Sequence, residues 1–212
     1  DYARLVEQLP GGIRIEAGEQ DSLSYAAAER VFMKGDVAPA KESLGRYLQS
    51  YPEGAFSLSA HYNLCTIARQ QGDEDAILLH AGKLLEYPDS PYTEEALLMR
   101  GEVLFNRKQY DEARADYLQL QAKATTSERR RLGQTGALRC SWLLQDHAGT
   151  VSAATALLAE SNLTPELRTE ALYDRAKACI AQEDWTAAVA DLRALAADTR
   201  TLQGAEAKYL LA

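Results

Sequence analysis

Three histidines (His61, His80 and His147) and three cysteines (Cys65, Cys140 and Cys179) are the side chains of this 212-residue chain best suited to hold a metal or attack a substrate. They fall in different segments, and neither set shows the short paired spacings of a zinc site. The odd number and wide separation of the cysteines argue against a disulfide framework. Cys65 and Cys179 sit where a small apolar side chain is needed, which a thiol supplies. The carboxylate runs Asp73-Glu74-Asp75 and Asp111-Glu112 read as helix starts, where exposed amides favour negative charge, rather than as acid/base pairs. No glycine-rich phosphate loop follows a strand. Neither catalysis, nor a cofactor, nor a metal is expected.

Whatever chemistry exists must be positioned by a pattern that returns about every 34–40 residues, the range of helical repeat arrays. Each return holds a helical segment with small residues inside it, a short polar turn, a second segment centred on alanine, and often a Tyr-Pro stop. Ala40, Ala76, Ala113, Ala154 and Ala188 mark the second segments, at spacings of 36, 37, 41 and 34. Apolar residues three and four apart give each segment one buried stripe. A hairpin of this kind cannot bury its apolar face alone, so hairpins stack and expose an extended groove rather than a reaction pocket. Hairpins are expected over residues 22–52, 54–88, 89–124, 126–160 and 164–198, with a partial sixth over 200–212. Residues 1–9 are expected to form a short helix stopped by Pro10-Gly11-Gly12, followed by a linker through Asp21. Asp89-Ser90-Pro91 and Thr164-Pro165-Glu166 both read as a side-chain cap with proline at the first helical position. The chain stops inside the sixth segment, at Tyr209-Leu210-Leu211-Ala212, without a cap. That reads as a fragment of a longer protein, with self-association through this end as the alternative.

A net charge of −8 argues against nucleic acid as the main ligand, since phosphate binding needs clustered Lys and Arg. Arg129-Arg130-Arg131 reads as a solvated helix face. No apolar run approaches the 18 or so residues of a membrane span.

Leu97, Gly101, Leu104, Tyr110, Ala113 and Tyr117 in the third hairpin resemble the tetratricopeptide repeat. So do Leu172, Ala176, Cys179, Trp185, Ala188 and Leu192 in the fifth, and Ala28, Val31, Gly35, Ala40, Leu44 and Pro52 in the first. The resemblance covers about residues 22–212, and the fourth hairpin departs from it in having no aromatic after its turn. It implies an all-α protein: an α-solenoid of about five helix-turn-helix hairpins plus the first helix of a sixth, wound as a right-handed superhelix. It also implies a non-enzymatic scaffold that binds a peptide or partner protein in its groove. The stretch Tyr87-Pro88-Asp89-Ser90-Pro91-Tyr92, followed by an alanine-rich helix, resembles the repeats of bacterial cell-envelope proteins such as the Tol–Pal coordinator and the outer-membrane assembly lipoprotein. Residues 9–14, 21–26 and 204–209 are similar to large repeat proteins of Bacteroides-type bacteria. These likenesses imply the periplasm or cell envelope. A cytoplasmic adaptor, or the regulatory solenoid of a larger enzyme, is the alternative.

In the repeat register the inner surface of the stack carries Tyr25, Tyr62, Leu98 and Tyr173 in one slot. Phe32, Arg69, Glu102, Phe105 and Lys177 lie in neighbouring slots. Tyrosines at such a surface offer a large contact area with a hydrogen-bonding tip, so these residues are the candidate partner-binding groove. The alternative is that several are packed between repeats. Repeats of this family that clamp a chaperone's terminal carboxylate use inner Lys and Asn. Tyr, Glu, Thr and Leu stand in those slots here, so that clamp is not expected.

Overall fold

The computed structural model describes residues 17–87 and 89–212. Among them are eleven α-helices and no strand. In order they are α1 (Ala17–Met33), α2 (Val37–Ser50), α3 (Ser57–Gln71), α4 (Glu74–Leu85), α5 (Thr93–Asn106), α6 (Tyr110–Lys123), α7 (Ser127–Leu143), α8 (His147–Leu158), α9 (Pro165–Ala181), α10 (Trp185–Ala196) and α11 (Leu202–Leu210). Odd-numbered helices are the first helices of hairpins and even-numbered ones the second. The chain divides into two compact units, Asp1–Arg100 and Gly101–Ala212, with the division inside α5.

The turns set the repeat. Each hairpin reverses through one left-handed residue: Gly35 (φ 81°), Gly72 (φ 67°), Lys108 (φ 62°), Gln145 (φ 58°) and Glu183 (φ 62°). Their spacings are 37, 36, 37 and 38. Glycine takes this conformation freely, whereas the three other side chains accept a local penalty to end the first helix. The next residue starts the second helix. Asp73, Asp146 and Asp184 cap it with their side chains, accepting from Ala76 N (3.1 Å), Gly149 N (2.9 Å) and Ala187 N (3.1 Å). Hydrogen bonding from Ala76, then from Lys41, holds the Asp73 carboxyl below its usual range.

This frame corrects the alanine register. Four residues after each cap position stand Ala40, Ile77, Ala113, Thr150 and Ala188, all buried. Ile77 therefore takes the place expected for Ala76, and Thr150 the place expected for Ala154. Ala154 is equally buried but one helical turn further on, aligned with Leu44, Tyr117 and Leu192. The aromatic missing after the fourth turn is His147 in this alignment.

Other boundaries also move. Helix α1 begins at Ala17, so residues 17–21 are helix rather than linker, and Asp21 is buried. Tyr47 donates to Asp21 Oδ1 at 2.6 Å, and Ala55 N donates to Oδ2 at 2.7 Å. Phe56 N in turn donates to the Tyr47 hydroxyl at 3.2 Å. This network ties the start of α1 to the α2–α3 connection, and it satisfies both oxygens of the buried acid. Ser90-Pro91 lies in a turn ahead of α5, which begins at Thr93, two residues later than the capping signal implies. At α9 the signal holds: Thr164 accepts from Leu167 N at 3.3 Å and Pro165 is the first helical residue. The helix expected over residues 1–9 lies outside the described residues, as does Pro88.

In the first unit the core runs through Tyr25, Ala28, Ala40, Leu44, Tyr47, Ala60, Leu64 and Ile67. In the second unit one cluster joins Leu138, Ala154, Leu157 and Ala171, and another joins Ala176, Leu192, Leu195 and Ala207. Small residues inside the first helices let their partners approach. At α6 and α7 a Cβ on Gly133 would stand 2.7 Å from the backbone of Tyr117 and Gln121. Cys65, Cys140 and Cys179 are all buried and free. Burial raises their thiol pKa values, to about 11 for Cys65 and Cys140.

Candidate functional site: the first-helix face

Side chains of successive first helices meet on one face of each unit. In the first unit, Tyr62 (α3) stacks on Tyr92, just before α5, with ring centroids 4.7 Å apart. The Tyr92 hydroxyl lies 2.9 Å from Ser59 Oγ. Arg69 (α3) is exposed and reaches Glu95 (α5) at 2.9 Å. Tyr25 (α1) is only 6% exposed, stacked on Phe56 at 4.7 Å and edge-on to Tyr47 at 5.4 Å. Its hydroxyl donates to Glu29 and accepts from Asn63 Nδ2 at 3.2 Å. Burial first, and then Glu29, pushes the Tyr25 phenol up to about 12. Phe32 packs half-buried against the same core.

In the second unit, Glu102 is exposed and Phe105 half-buried, edge-on to Tyr110 at 5.4 Å. Arg139 (α7) forks onto Glu170 (α9) through 2.6 and 2.9 Å hydrogen bonds. Tyr173 (α9) donates to Glu206 (α11) at 2.7 Å, and Lys177 donates to the same carboxylate at 2.9 Å. The Tyr173 phenol is pushed up to about 12 by burial and then by Glu206, while Tyr173 and Lys177 together hold the Glu206 carboxyl low. Asp174 (α9) is 8% exposed. Burial, reinforced by Glu170 and opposed by Arg139, raises its carboxyl to about 7.

Of the nine candidate residues, Tyr25 and Leu98 are core residues at 6% and 9% exposure. They have little surface to offer a ligand. Tyr173 and Lys177 come together on Glu206, whereas Tyr62, Arg69 and Phe105 meet partners absent from the candidate set. Those partners are Tyr92, Glu95 and Tyr110, and sequence reading also passed over Arg139, Glu170 and Asp174. Arg139 had a signal: it occupies the slot of Glu29, Thr66, Glu102 and Lys177 one repeat along.

The histidines depart from the sequence reading too. His61 (α3) and His80 (α4) lie far apart in sequence, yet their Nδ1 atoms are 3.0 Å apart between the two helices of one hairpin. Burial lowers both pKa values, His80 to about 4, so a neutral pair shares one N–H···N bond near pH 7. Among the described residues no three His, Cys, Asp or Glu side chains gather as a metal set.

Residues 95–127, spanning most of α5 and α6, match the tetratricopeptide repeat family. No curated protein matches the sequence. Among solved structures, the chain is similar to a kinesin light chain of Podosopora anserina with nearly identical TPR-like repeats. Identity is 17%, 91% of this chain and 97% of that one are covered, and the TM-score is 0.51. It is also similar to PilW, a widely conserved type IV pilus biogenesis factor, at 14% identity, 92% and 99% coverage, and a TM-score of 0.47. At such identities the first likeness speaks to fold alone. With five left-handed turns in register and a family match over the third hairpin, the chain carries a tetratricopeptide repeat at residues 95–127 within a tetratricopeptide-repeat fold.

Proposed function

We propose that the first-helix faces bind an extended segment of a partner protein, and that the chain is a non-enzymatic scaffold. Tetratricopeptide repeats bind protein partners, which supports the class. The observation that carries the reading is the half-exposed set Tyr62–Tyr92, Phe105 and Tyr173–Lys177. These side chains are held by neighbours on adjacent helices instead of being packed away. Side chains fixed in this way lose little freedom when a ligand arrives.

A peptide selected from a random display library, followed by fluorescence anisotropy, tests the reading. Tyr62→Ala with Tyr173→Ala is expected to weaken binding about tenfold or more, with little change in melting temperature. A loss of about 2–5 kcal/mol of stability, as for a core deletion, with no selective loss of binding would make both residues packing groups.

Placement in the bacterial cell envelope is supported by the Tyr87–Leu97 motif. Fractionation of cells expressing the full-length gene tests it, and recovery in the cytoplasm favours an adaptor or a regulatory solenoid.

A further inference from the structure

We infer that Asp174 is the docking point for a basic side chain, lysine or arginine, of the bound segment. This rests on the peptide-binding reading above and adds a partner chemistry to it.

Asp174 is more than nine-tenths buried, yet no hydrogen bond reaches its carboxylate from any described residue. Such a group has no hydrogen bond to offset its desolvation cost, and the nearby Arg139 charge offsets it only in part. Among the described residues, Gln134 Oε1 alone is both fully buried and without a partner, so the Asp174 oxygens are not wholly shut off from solvent.

The repeat itself shows what is missing. Asn63 occupies the same repeat position in the first unit, and its amide is satisfied by the hydroxyl of Tyr25, from the preceding first helix. One hairpin before Asp174, the position of Tyr25 is taken by Thr135. That side chain is short and already spent, donating to Arg131 O in its own helix at 2.8 Å. Where the first unit closes the gap with a tyrosine, the second leaves a carboxylate facing an opening.

Charge selects the occupant. Arg139 is committed to Glu170 by a two-pronged fork, and Lys177 is committed to Glu206. Arg139 is shared between Glu170, which takes its hydrogen bonds, and Asp174, which feels only its charge; two carboxylates then face one guanidinium, and a partner's ammonium or guanidinium would balance the second. Charge-assisted hydrogen bonds of this kind are the strong ones.

The test is peptide display against the wild-type chain, Asp174→Asn and Thr135→Tyr, each first checked for helical content by circular dichroism. Wild type is expected to enrich peptides with Lys or Arg at one fixed position. A selected peptide should bind about tenfold more weakly to either variant, and equally weakly to wild type once its basic residue becomes norleucine. Thr135→Tyr is informative because it restores the Tyr25–Asn63 arrangement without touching the acid. Peptides that enrich with no basic preference, or basic peptides that bind Asp174→Asn undiminished, would overturn this inference and leave the groove reading standing. Failure to enrich any peptide would remove both.

Discussion

At Asp174, stability and binding pull in opposite directions. The folded carboxyl titrates near 7, well above the unfolded value of about 4. A raised folded pKa means that the native state holds the proton more tightly than the unfolded chain does. The stability contributed by the protonated acid is complete below about pH 4 and drains away as pH rises through 7. Asp174→Asn removes the titration. Its melting temperature should exceed that of wild type by on the order of 5 °C at pH 8 and by little at pH 4. Equal shifts at both pH values, followed by circular dichroism, would show that desolvation is not the cause. A site that costs stability where it is charged is a familiar property of binding surfaces. Nothing in the single sequence singled out this residue. Its isolation depends on Thr135 being short and on Arg139 choosing Glu170, both of which are facts of three-dimensional pairing. Tyr25 takes the packed alternative: its spacing matched Tyr62 and Tyr173, but Phe56 and Tyr47 close over it.

Among the elements, α6 and α7 lie close together, and glycine makes this possible. A Cβ on Gly133 would meet backbone at 2.7 Å, where no side chain can swing away to relieve it. Alanine would favour the isolated helix by about 1 kcal/mol, but separating the helices is expected to cost more. Gly133→Ala should therefore destabilise the chain by a net amount of about 1–3 kcal/mol in urea unfolding. A stabilised variant would contradict the close approach. Among the described residues the helices and their pairing were legible in the sequence, because apolar residues at helical spacing and proline stops are local signals. Register was legible only in part. Gly35 and Gly72 announce left-handed turns, but Lys108, Gln145 and Glu183 adopt the same conformation without announcing it. With Thr150 standing in the usual alanine position, counting from alanine to alanine slid the fourth hairpin by one turn. The start of α1 was hidden for a different reason: Gly18 and the charged residues after it read as linker, while the bonds that Asp21 makes to Tyr47 and Ala55 hold that stretch in place.

For the whole chain, the two units repeat one plan. Second helices brace the next hairpin in each: Lys41 reaches the Asp73 cap at 3.1 Å in the first unit, and Arg114 reaches the Asp146 cap at 2.6 Å in the second. First helices within each unit meet through tyrosines and charged pairs, and the proposed binding uses those faces. Hydrogen–deuterium exchange with and without a display-selected peptide tests that use most directly. Within whichever unit binds, protection should fall on first helices, in segments holding Tyr62 for the first unit or Phe105, Arg139 and Tyr173 for the second, while α2, α4, α6, α8 and α10 keep their free-state rates. Protection concentrated on the second helices or on the hairpin turns would contradict it.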